Sequence, residues 1–290
     1  MALGGKVLDL MFDLYGKGFF KEINSVIDMG DQDVNATFNE IQNKFENYKV
    51  KFNERDWANA KNFPKRPRVS TSILWKSFGV NEASRMDIIK LDRDSNDDNK
   101  HFIQDLNFPL KDTSLEQKFD LVTDIGNNEH PFNIVEAYNT MHKLCKINGY
   151  MIIYQAYLNG NGFYQFDSCT VDNIAAANEY SILNSSFIIN QNNLSISIPL
   201  DKNYLKLIDL NNVNDIGIFY LLKKNSNKTF QFPYQGGGKT NSPKEYYTLS
   251  NFNKSRLPEQ IYLPHTLENI SFKDILKSLI KRIIRKVIKK

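Results

Sequence analysis

Ser25-Val-Ile-Asp-Met29, followed at once by Gly30 and then by a polar stretch from Val34 to about Tyr48, decides how the rest of the chain is read. A short apolar run that breaks at a glycine and gives way to a helix-compatible segment predicts strand, turn, helix, which opens a βαβ unit. The rhythm continues. Beyond Arg55 to Phe63 and the break at Pro64-Lys-Arg-Pro67, a helix is expected around Thr71 to Phe78, and a second strand at Met86-Asp-Ile-Ile-Lys-Leu91, ending on Asp92. A loop rich in Asp and Asn leads to a short third strand at His101-Phe-Ile-Gln-Asp105, and Phe119-Asp-Leu-Val-Thr-Asp124 reads as a buried fourth.

The second half repeats the pattern. Ile134, Ala137, Tyr138, Met141, Leu144 and Cys145 recur at helical spacing, and Gly149 precedes the strand Tyr150-Met-Ile-Ile-Tyr154. A helix near Asp172 to Ala177 and strands at Phe187 to Asn190 and Ile216 to Leu222 complete the sheet. Strands alternating with helices predict an α/β fold with a doubly wound, mostly parallel, Rossmann-like sheet. The chain divides into an N-terminal helical segment (1–20), the Rossmann-like domain (21–225), an irregular polar extension (226–268) and a basic amphipathic helix (269–290).

Composition narrows the function classes. With 41% hydrophobic and 12% aromatic residues, the 290-residue chain can bury a sizeable core. The formal charge of +4 is modest and its basic excess gathers at the C-terminus, so no nucleic-acid groove is expected. Cys145 and Cys169 stand in no metal-ligand spacing, the start lacks the pattern of a signal peptide, and no metal-ligand cluster is evident. A cytoplasmic location follows as the expectation. No apolar run approaches the roughly 20 residues that cross a bilayer. The last segment is different: Phe272, Ile275, Leu276, Leu279, Ile280 and Ile283 fall on one helical stripe, with Lys277, Lys281, Arg282, Arg285 and Lys286 around it. Such a helix (272–290) suits the inner, anionic face of a cell membrane. Docking on the protein's own body, or pairing with a second copy in a homo-oligomer, are the alternatives.

In a doubly wound sheet, ligands bind beyond the carboxyl ends of the strands, so the residues there are the candidates for chemistry. Asp28 and Gly30 end the first strand, where Gly30 lets backbone amides approach a ligand. Asp92 could accept bonds from both ribose hydroxyls of an adenosine, and Asp105 from an adenine amine; as turn residues, both have a plainer explanation. Four strand-end acids in succession, at Asp28, Asp92, Asp105 and Asp124, favour an adenosine-containing cofactor.

These residues resemble the class I methyltransferases that use S-adenosylmethionine, and more narrowly a group encoded with bacterial surface-polysaccharide enzymes. The resemblance runs from about Ser25 to Phe166. It is carried by Val26-Ile-Asp-Met-Gly-Asp-Gln-Asp-Val34, Ile88-Ile-Lys-Leu-Asp92, Gln104-Asp-Leu-Asn107, Phe119 to His130, Met141-His142 and Gly162-Phe-Tyr164. It implies that Asp28 and Gly30 shape the methionine pocket, that Asp92 holds the ribose and Asp105 the adenine, and that Asp124, Ile125 and Gly126 form the cofactor's inner edge. His130 is the leading candidate for general base, with Glu129 to orient it or act in its place; His142 is a weaker candidate. Asn161, Phe163 and Tyr164, with Phe166 beside them, would meet the acceptor, and the resemblance implies a sugar hydroxyl of a surface glycan or its lipid-linked precursor.

Three departures keep a second reading open, a catalytically silent module that tethers a glycan-assembly complex. Gln32 and Val34 stand where many relatives have glycines, the interval from Asp28 to Asp92 is long, and Asn161 replaces a histidine that often precedes Gly-Phe-Tyr. A nicotinamide-dependent oxidoreductase is disfavoured, because no Gly-x-Gly-x-x-Gly follows the first strand.

Overall fold

A computed structural model describes residues 2–51, 53, 56–57, 69–89, 100–192 and 194–233. The chain opens with a two-residue strand, β1 (Leu3–Gly4), and helix α1 (Gly5–Gly16). The strand expected at residues 25–29 is β2 (Ser25–Met29), with every residue buried. A short β3 (Asp33–Asn35) interrupts the expected helix, which begins only at α2 (Phe38–Tyr48). The delay has a local cause: Thr37 and Glu40 form a capping box, each side chain taking the other's backbone N–H.

After β4 (Val69–Ser70), helix α3 (Thr71–Ser77) falls where the sequence places it. The second strand of the main sheet does not. It is β5 (Glu82–Asp87), and Ile88 and Ile89 beyond it are 58% and 55% exposed. The apolar Ile-Ile pair drew the expected strand too far along the chain, because Ser84 and Arg85 look unsuited to a buried strand. Both are buried, and Arg85 makes a 3.3 Å ion pair with Asp31. The strand therefore ends on Asp87.

The remaining elements are β6 (Lys100–Ile103), β7 (Phe119–Ile125), α4 (Ile134–Leu144), β8 (Cys145–Leu158), α5 (Ser168–Ala177), β9 (Tyr180–Gln191), β10 (Leu194–Pro199) and β11 (Asp215–Lys224). Asn133 and Asp167 cap α4 and α5, each accepting a backbone N–H of the first turn. Eight strands form the main sheet in the order β10-β9-β11-β8-β7-β2-β5-β6; β1, β3 and β4 form a small second sheet. Strands β6, β5, β2, β7, β8 and β9 run one way, and β11 and β10 run against them. From β2 the chain builds outward to β5 and β6, then returns to the other side of β2 for β7 and β8, so the order reverses between β2 and β7.

Alternation along the strands divides the core. Val26, Leu121, Ile152 and Phe219 pack with α1, α2 and α3 in a cluster rich in aromatic rings, where Phe12 meets Phe45 and Phe78, and Phe20 stacks on Trp75. Their strand neighbours Ile27, Val122, Ile153 and Tyr220 are buried on the opposite face. Residues 201–211 group apart from this body and contain one helical turn, Lys202–Leu205, capped by Asp201. Residues 226–233 have no regular structure; the rest of the polar extension and the helix expected at 269–290 lie outside the described residues. Among the described residues, no helix is long and apolar enough to cross a membrane.

Candidate active site

The strand order reverses between β2 and β7, and in a doubly wound sheet the carboxyl ends at that reversal are where a ligand crevice is expected. Gly30 and Gly126 begin the loops that follow these two strands with φ of 83° and 68°, in the left-handed region. At Gly30 the space demands glycine as well: a Cβ would lie 2.6 Å from Asn127 Oδ1. The two loops thus meet at Gly30 and Asn127. Gly126 donates its N–H to Tyr154 O at 2.7 Å, and Ile125 before it is buried.

The aspartates expected to act as a set do not face one way. Asp28 shares a sheet face with Val26 and turns inward beneath α3, where it accepts hydrogen bonds from Trp75 Nε1 at 3.0 Å, from Thr71 Oγ1 and from Thr123 Oγ1. Burial pushes its carboxyl up to about 6, against the pull of these donors. Asp28 therefore ties β2 to α3 and β7, and with both oxygens engaged it does not line the crevice. Asp124 lies on the other face, with no exposure. It accepts the N–H groups of Asn127 and Asn128, each at 3.1 Å, and a bond from Gln155 Nε2. Burial pushes it up to about 7, and Glu129 adds to the rise.

Asp105 follows β6 as a turn residue. Its Oδ1 accepts both Asn107 N–H, at 2.9 Å, and Asn107 Nδ2, at 2.8 Å, and Asn107 in turn holds Asn133 at the start of α4. Asp92 lies outside the described residues. The acid that ends the second strand is Asp87, which the sequence reading missed. Its carboxylate accepts the N–H of Asp31 at 2.7 Å and of Ile88 at 2.6 Å, and so joins the β2 loop to the end of β5.

Glu129 and His130 are brought together. Glu129 has no side-chain exposure, His130 has 45%, and Glu129 Oε1 lies 3.7 Å from His130 Nε2. Glu129 Oε2 accepts Ala156 N–H at 3.3 Å. Burial raises the carboxyl of Glu129 above its usual range and lowers the imidazole of His130 below its own. A chain from the next crossover clamps them: Glu129 O accepts the N–H groups of Phe163, at 2.7 Å, and Tyr164, at 3.4 Å. Gly162 is required there, since a Cβ would stand 2.4 Å from Glu129 O. The Gly-Phe-Tyr signal thus has a backbone reason.

Phe163, 71% exposed, packs edge-on at 5.8 Å against Phe132, 73% exposed, and Tyr164 Oη donates to Phe132 O at 2.6 Å. Phe166, by contrast, is core, with its ring against Tyr138 and Tyr164. His142 is also structural. Its ring nitrogens bond Tyr180 Oη at 2.6 Å and Lys228 O at 2.8 Å, and burial pushes it down to about 4. Asn161 sits on the wall of a cavity of about 640 Å³, with Gly160, Ala156 and Tyr154.

On the loops after β2 and β7 and on β8, five buried polar atoms have no hydrogen-bond partner: Gln32 Oε1, Asn127 Nδ2, Asn128 Oδ1, Glu129 Oε1 and Gln155 Oε1. Leaving such atoms unsatisfied costs about 1–3 kcal/mol each, which a polar guest at these loops would relieve. Only Glu129 among them was a sequence candidate; Asn127 and Asn128 stood in plain view between Gly126 and Glu129.

The fold is Rossmann-like and doubly wound, with a mostly parallel central sheet, as the strand order shows. Two solved structures that it resembles are a 1,6-didemethyltoxoflavin-N1-methyltransferase of Burkholderia thailandensis with bound S-adenosylhomocysteine, and a SAM-dependent methyltransferase of Archaeoglobus fulgidus. The first is 11% identical over 74% of this chain and 78% of its own, and the second 12% identical over 74% and 94%; each has a TM-score of 0.40. A likeness at that level adds no argument to the strand order. No family model matches the chain, and no curated protein matches it.

Proposed function

We propose that the protein binds S-adenosylmethionine in the crevice between β2 and β7 and transfers its methyl group to an acceptor hydroxyl. The observation that carries this reading is the set of partnerless buried polar atoms at Gln32, Asn127, Asn128 and Gln155, beside a buried Glu129 paired with His130. Both donors and acceptors are offered, which suits a ligand bearing an amine, a carboxylate and ribose hydroxyls. Asp124 holds the loop that presents them, and Asp87 supplies an acid at the end of β5.

The cofactor, when bound, supplies an already activated methyl group on sulfur. The chain's task is to orient the acceptor and take its proton. His130, kept neutral near pH 7 by partial burial, accepts that proton on a ring nitrogen. Glu129 lies close enough to stabilise the resulting imidazolium, and its burial from water strengthens the effect. A sugar of a surface glycan or its precursor is the acceptor this reading favours, since the exposed faces of Phe132 and Phe163 flank the site and suit sugar rings. Residues 272–290 would hold the enzyme at an anionic membrane where a lipid-linked acceptor resides.

Isothermal titration with S-adenosylmethionine, S-adenosylhomocysteine and NADH tests the reading. The first two should bind, and Asn128→Leu should weaken them about tenfold, the size of one lost hydrogen bond. No binding at near-millimolar ligand, or binding of NADH in their place, overturns it. Cofactor binding without transfer to any glycan acceptor would favour the silent tether.

A further inference from the structure

The cavity bearing Asn161 has a composition that says more about the ligand. Its wall carries Asn35, Asn159, Asn161, Asn190, Asn192 and Ser195, and among the described residues it includes no lysine or arginine. The ionisable side chains there are acids: Glu40, which caps α2, and Asp215, which takes a 2.6 Å bond from Asn190 Nδ2. Tyr154 Oη lies 3.4 Å from the same amide. A second cavity, of about 430 Å³, shares Gly5, Asn35, Glu40, Leu194 and Ser195 with the first and adds Asn43 and Asn47, so the two form one groove. The lysines that line its far part, Lys6 and Lys44, are both paired with Asp9.

Amide side chains donate and accept at once, as hydroxyl groups do, whereas a phosphate or carboxylate is favoured where cations outnumber acids. Among the described lining residues the carboxylates Glu40, Asp215 and Asp9 outnumber the cations Lys6 and Lys44, so the amide-rich groove favours a neutral polyhydroxylated ligand over an anionic one. Its inner wall, Ala156 and Gly160, adjoins the proposed active site: Ala156 N–H is bonded to Glu129 Oε2, and a Cβ at Gly160 would lie 3.6 Å from that oxygen.

We infer that this groove, running from Asn161 past Asn35 to Asn47, binds an uncharged oligosaccharide of more than one ring and presents one of its hydroxyls toward Glu129 and His130. Any phosphate or diphosphate carried by the acceptor lies outside the groove. What happens to that hydroxyl rests on the methyl-transfer reading; the binding of the saccharide does not.

The full-length protein should be applied to a glycan array holding neutral, carboxylated and phosphorylated oligosaccharides, with UDP-glucose titrated separately. Neutral oligosaccharides should be retained and compete with one another. Asn161→Trp and Asn35→Trp, which fill the groove at two places, should each weaken the neutral hits at least tenfold, while the binding of S-adenosylhomocysteine and the melting temperature stay near those of the unsubstituted protein. Retention of acidic glycans or UDP-glucose alone, neutral hits indifferent to both substitutions, or no neutral hit at all would overturn the inference. Failure of S-adenosylhomocysteine to bind while neutral glycans still do would sink the methyl-transfer reading and leave the groove.

Discussion

Asp124 is a carboxyl group with no exposure, and burial holds its pKa near 7 in the folded chain. Because that value lies above the unfolded one, protonation favours the fold. The stability this contributes is whole below about pH 4 and is lost as pH rises through 7. Asp124→Asn keeps an acceptor for Asn127 and Asn128 N–H, and a rotated Gln155 amide can accept from its Nδ2. The variant should therefore gain stability relative to the parent between pH 4 and 8, by on the order of 3 kcal/mol, read from urea denaturation at each pH. A constant difference across that range would show that Asp124 is not the buried acid described. At the same scale, His130→Ala should lower kcat for methyl transfer about 100-fold and leave S-adenosylhomocysteine affinity within twofold. Since partial burial lowers the His130 pKa, activity of the parent should persist below pH 6.5 before its acid limb begins. An unchanged kcat would move the base role to Glu129.

Among the elements, the clamp of the 160–166 segment onto Glu129 matters most for function, because a backbone oxygen, not a side chain, joins them. Gly162→Ala places a methyl against that oxygen and should shift Glu129 and His130 together. The expected result is loss of at least nine-tenths of the activity with cofactor binding retained, measured by single-turnover transfer and calorimetry. The start of α2 offers a contrasting case. Thr37→Ala removes an exposed capping box and should cost about 1 kcal/mol, a fall in melting temperature of about 2–4 °C, with no change in cofactor affinity. A larger loss would mean that the cap also supports the groove wall at Glu40.

At the scale of the whole molecule, basic residues gather in the last segment of the chain. The basic stripe of residues 272–290 should draw the chain to anionic lipid, with each nearby cation contributing about 1 kcal/mol. Full-length protein should therefore co-sediment with vesicles containing phosphatidylglycerol and not with purely zwitterionic ones. Replacing Lys281, Arg282, Arg285 and Lys286 with Gln together should abolish that binding and leave S-adenosylhomocysteine affinity unchanged. Binding that survives the four substitutions would remove electrostatic attraction as its cause.

How much was legible in the sequence differed by kind of feature. The strands 25–29 and 119–125, the helices at 71–77 and 134–144 and the parallel rhythm were readable because each is set by a local pattern: apolar runs, 3.6-residue spacing, and Gly, Asn or Asp at the ends. The small second sheet was not, since the two-residue strands β1 and β4 owe their existence to β3, distant from both in the chain. The pairing of Glu129 with His130 was legible as adjacent letters. The roles of the aspartates were not, because a one-residue difference in strand parity turns Asp28 under α3 and Asp124 to the opposite face, and a buried Arg85–Asp31 pair makes a polar-looking segment the strand that ends on Asp87. Local periodicity by itself determined the class of fold and the loops where a site must lie. Only the tertiary structure decided which polar atoms are left without partners there, and that the asparagines of four separate segments line one groove, since both depend on what long-range packing brings together.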